Sequence, residues 1–167
     1  MVLFLICTVP CASILYLRLC YGRFFFTEEV RTAFVYGLLS QVIALLPIAL
    51  FHTSYPLRYN PQNLFFADWL REFLVYWLLG FLFFAVLRNK VLRLPTNTGK
   101  WVSGVAFWSG FLFLAGIYHA VYHFPEFTPY RLFVHPVLLL LLLWGSALST
   151  HFFFTSNGAA KRLISVF

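Results

Sequence analysis

The chain has 167 residues, of which 62% are apolar and 10% charged, and its formal net charge is +7. Soluble domains carry about 25% charged residues, so a water-facing globular fold is excluded, and apolarity this high also excludes intrinsic disorder. A basic chain can serve nucleic acid, but the cations here stand in short clusters between apolar runs, the pattern of a membrane protein without a nucleic-acid partner.

A helix crosses a hydrocarbon core of ~30 Å with about 20 apolar residues. In chain order, five stretches meet or approach that length. The first is Val2 to Leu17, with Pro10 inside it and Arg18 and Arg23 closing it. No Lys or Arg precedes it, so it is expected to stay as a membrane helix rather than be removed as a leader. Cys7 and Cys11 are four apart on this helix and are expected to pack as small hydrophobes; with Cys20 they form no CxxC pair.

The second stretch is Thr32 to Phe51, twenty residues without a charge. Thr27 can cap a helix that leads into it, with Glu28 and Glu29 in the first turn, where the dipole favours acids. Pro47 should kink this span. Gln41 stands in its middle and is expected to find a hydrogen-bond partner on another helix.

The third stretch, Leu64 to Leu87, carries Asp68, Arg71 and Glu72 near its start. Charges in hydrocarbon cost at least ~2.5 kcal/mol each, so these should face other helices or a wet cleft. A turn-rich segment over 94–99 follows. The fourth and fifth stretches are Trp101 to Tyr122 and Pro136 to Phe154, with His151 expected at the interface near the end of the last. The whole chain, 1–167, is thus predicted to be one all-α transmembrane bundle of about five helices, with no connector long enough for a soluble domain.

Loop charge sets the orientation. Arg18, Arg23 and Arg31 lie after the first span, Arg88, Lys90, Arg93 and Lys100 after the third, and Lys161 and Arg162 after the fifth. The facing loops and helix starts carry Arg58, Arg71 and Arg131. The expected topology is N-terminus outside and C-terminus in the cytoplasm, in the cytoplasmic (plasma) membrane. Arg88, Lys90 and Arg93 are expected to contact anionic lipid headgroups. Small residues four apart recur as Ala33/Gly37, Ala106/Gly110, Gly116/Ala120 and Gly145/Ser149, and should allow helices to approach closely.

The grouping that suggests chemistry lies at the outer face. Asp68 and Glu72 share one helix face, His119 and His123 share another, and both pairs fall near the same membrane surface. With Gln41 they make a candidate polar site. Imidazole and carboxylate together suit a divalent metal, and neutral histidine also suits haem or proton transfer, but interfacial placement accounts for the same residues without a cofactor. No phosphate loop, GxSxG or HExxH occurs. The functional expectation is a subunit of a membrane complex or transport system, with lipids and membrane-protein partners or further copies of itself around it. The alternative is a membrane-embedded enzyme or metal- or haem-binding protein using the outer His/carboxylate cluster.

Overall fold

The structure, a computed structural model, describes residues 2–25, 27–54, 73–122 and 134–155, with side chains from Cys11 onward except at 23–25, 51–54, 119–120, 122 and 155. These residues form five α-helices and no strand: α1 (Val2–Phe25), α2 (Glu28–Ser54), α3 (Val75–Val91), α4 (Asn97–Tyr122) and α5 (His135–Thr155). Three stretches, Glu28–Leu50, Asn97–Tyr118 and His135–Phe154, are long and apolar enough to cross a membrane. Cys11–Gly22 is a shorter apolar stretch in α1, and α3 has 17 residues.

Several helices outrun the apolar stretches that announced them, because a charge ends a membrane span but not a helix. α1 passes Arg18 and reaches Phe25, with a break in regular geometry at Tyr21 (φ −137°, ψ 38°). α3 continues to Val91, bringing Arg88 and Lys90 into its last turn, where the dipole favours cations. α4 starts at Asn97, four residues before the expected span. Thr96 makes that possible: its hydroxyl oxygen accepts the Gly99 N–H at 3.0 Å, and its carbonyl accepts the Lys100 N–H at 2.9 Å. That is an N-cap inside a segment expected to be turn. α2 begins as expected, with Glu28 and Glu29 in its first turn, and stays helical through Pro47.

α4 is the axis of the bundle and touches all four other helices. Around it, α1 touches α5, α5 touches α3, and α3 touches α2. The core is correspondingly centred on α4: Val102, Val105, Phe107, Trp108, Phe111 and Leu112 are all fully buried.

Two of the small-residue pairs meet each other. A Cβ at Gly37 would overlap the Phe107 carbonyl oxygen, and one at Gly110 would overlap the Phe34 carbonyl oxygen. Backbone therefore lies against backbone on the α2–α4 seam, with Ala33 and Ala106 buried one turn away. Gly145 is different: it is exposed, and nothing lies within 4 Å of its missing Cβ. At Gly145 no described helix approaches closely, and Ser149, half-buried, returns its hydroxyl to the Gly145 carbonyl at 2.7 Å. Cys11 is also exposed rather than packed.

Candidate functional site

One end of the bundle is assembled from the C-terminal ends of α1, α3 and α5 and the N-terminal ends of α2 and α4. Aromatic side chains hold it together. Tyr16 packs edge-on against Trp144 at 4.4 Å, and Trp144 stacks with Trp101 at 6.3 Å. Trp101 meets the His151 ring at 5.6 Å. His151, near the end of α5, is half-buried against this indole.

Cations decorate the same end. Arg18, Arg31, Arg88, Lys90 and Arg93 are exposed. The two cations of the last turn of α3 spread to opposite neighbours: Arg88 lies over the Phe154 ring of α5 at 5.8 Å, and Lys90 over the Tyr36 ring of α2 at 5.9 Å. In each case it is the charged group that lies over the ring, while the residue as a whole stays exposed. Arg88, Lys90 and Arg93 therefore share one exposed, cationic rim.

The interior is more polar than hydropathy suggested. Trp108 donates its indole N–H to the Thr150 hydroxyl oxygen at 3.2 Å, joining α4 to α5. That hydroxyl donates in turn towards the Ser146 carbonyl at 2.8 Å. Ser40 and Ser109 return their hydroxyls to carbonyls one turn back, each at 2.7 Å. Gln41 does not follow this pattern. It is fully buried, and among the described residues neither its Oε1 nor its Nε2 has a hydrogen-bond partner. The expected interhelical bond is absent among the described residues, and the adjacent Ser40 hydroxyl is committed to the Tyr36 carbonyl.

The outer-face cluster is reached only in part. His119 lies on α4, its side chain outside the described residues, and Asp68, Glu72 and His123 lie outside them as well. Among the described residues no group of three metal-ligating side chains occurs. At the end of the bundle opposite the cationic rim, His135 is buried and its ring packs 5.7 Å from that of Phe73.

Trp101, Trp108, Trp144 and Thr150 were not singled out by sequence. Their signal, aromatic residues spaced by seven on two helices (Trp101/Trp108 and Trp144/His151), is visible only once α4 and α5 are paired. In comparisons with known proteins, the chain matches no family model, no curated protein and no solved structure.

Proposed function

We propose that this chain is an integral membrane protein of the cytoplasmic membrane whose five helices all cross, N-terminus outside, and that it works as a subunit of a larger membrane assembly. The outward faces support a lipid environment. Leu39, Ile43, Leu46 and Leu50 of α2 are 52–69% exposed, as are Leu78, Leu82 and Val86 of α3 at 52–73%. Contiguous apolar surface on this scale is foreign to soluble monomers, whereas the described arginines and lysines gather at one end, as a headgroup region requires.

The observation that carries the subunit reading is Pro47. It is exposed on α2, and proline has no N–H to give to the carbonyl one turn earlier. That carbonyl belongs to Ile43, itself 63% exposed. Lipid tails offer no donor, and freed backbone groups in a membrane are satisfied by neighbouring helices or side chains. A helix of another subunit, bringing a hydroxyl, amide or indole donor to the face of Ile43 and Leu46, meets that need. Anionic lipid at Arg88, Lys90 and Arg93 belongs to the same proposal. So does the outer niche of Asp68, Glu72, His119 and His123, which buried His135 supports by giving that end of the bundle an internal polar group.

Photo-crosslinking in native membranes tests this. A photoreactive residue at Leu46 is expected to give a discrete protein adduct, while the same residue at Leu82 on α3 gives lipid adducts. An adduct of twice the chain mass identifies a second copy, and one of another mass a different subunit. Lipid adducts alone at both positions overturn the reading.

A further inference from the structure

Among the described residues the buried polar atoms without a hydrogen-bond partner include Ser103 Oγ, Ser146 Oγ and both polar atoms of the Gln41 carboxamide. Serine and threonine hydroxyls on a helix can turn to the carbonyl one turn back, as those of Ser40, Ser109 and Thr150 do. A carboxamide has an acceptor at one end and two donors at the other, so no single rotation satisfies it. Gln41 is the residue where this matters, with Oε1 and Nε2 both buried and unpartnered and the residue fully inside the bundle.

Its place is defined by the seam. Gly37 of α2 sits between Phe107 and Phe111 of α4, and Gln41 is one turn further along α2, at mid-height between Glu28 and Ser54. The inward positions of α2 from Ala33 to Ile48 carry no charge, so nothing there neutralises an ion. An occupant must be small, neutral, and able both to donate and to accept.

We infer that Gln41 anchors an internal site at mid-height of the bundle whose resident ligand is water. One water molecule accepts from Nε2–H and donates to Oε1, and its second hydrogen goes to the lone pairs of the Ser40 hydroxyl, adjacent in sequence and also buried. Buried waters settle where two to four polar partners converge, and the chemistry of this carboxamide provides them where the apolar seam does not. The inference is independent of the subunit reading, since the site faces α4 and not the outward side of α2.

The test uses the full chain in nanodiscs of perdeuterated lipid. The sequence has two glutamines, Gln41 and Gln62, so ¹⁵N-glutamine labelling gives two side-chain amide pairs, and Gln62→Asn assigns them by removing the pair that is not Gln41. The Gln41 pair is expected to show NOE and ROE cross-peaks to water of opposite sign, the signature of a held rather than a passing molecule. Gln41→Leu is expected to lose them and to keep or raise the thermal midpoint, because an apolar side chain of similar size needs no ligand there. A Gln41 amide pair without water cross-peaks overturns the inference whether or not the variant folds. So does a Gln41→Leu midpoint lower by several degrees, which marks a protein partner.

Discussion

α4 and α5 are both long apolar helices, yet 72% of the apolar window of α4 lies inside the bundle against 28% for that of α5. In a soluble protein the more buried helix is the more apolar one. Here the order is reversed. α5 contains the unbroken leucine run 138–143, while buried α4 carries Ser103, Gly104, Ser109, Gly110 and Gly116. The reversal is what a lipid solvent would produce. Lipid is as apolar as leucine, so burying leucine against protein gains little, and what holds helices together is close packing and internal hydrogen bonds. α4 is central because it is small enough along one seam for α2 to touch its backbone, and because Trp108 and Thr150 tie it to α5.

This contrast predicts a graded series of thermal-midpoint losses for the purified protein in detergent micelles. The largest is expected from Trp108→Ala. Trp108 is fully buried, covers Gly80 of α3 and donates to Thr150 of α5, and truncating a buried tryptophan costs about 3–5 kcal/mol. Gly110→Ala comes next. The new methyl meets the Phe34 backbone, which cannot turn aside as a side chain would, and overpacking of this kind costs about 1–3 kcal/mol. If Gly110→Ala left the midpoint unchanged, the backbone contact of α2 and α4 would not be what centres α4.

Thr150→Val should cost about 1–2 kcal/mol by leaving the indole N–H of Trp108 buried and unpaired. Trp108→Phe in the Thr150→Val background should then add little beyond its own lost volume, a coupling that a double-mutant cycle reads directly. The smallest effect belongs to Gly145→Ala on the outward side of α5. Nothing lies within 4 Å of the new methyl, so the change should stay within about 0.5 kcal/mol. A large loss at Gly145 would instead mean that this face is covered by another subunit in the purified particle.

Individual residues mark how far the sequence could be followed. The all-helical architecture came from the length and apolarity of uninterrupted runs, and the start of α2 from Thr27, Glu28 and Glu29. Ala33/Gly37 and Ala106/Gly110 were recognisable as close-approach pairs, because a missing side chain is visible in the sequence itself. That they would meet each other, while Gly145/Ser149 would face outward, was not. Thr96 was hidden because Leu-Pro-Thr-Asn-Thr-Gly carries both turn and cap signals, and only the following helix decides between them. Gln41 was recognised as a polar residue that must lie inside, but the expected protein partner is not found among the described residues.

Hydrophobicity and charge are properties of single residues and short runs, so they suffice to state that this chain forms helices suited to a membrane and which ends carry the cations. Which helix sits at the centre depends on shape summed over several helices at once: glycine against a carbonyl, an indole reaching a hydroxyl 42 positions away. Such pairings have no signature within one segment. For that reason the least apolar of the three long spans became the core, and its place emerged only from the packed bundle.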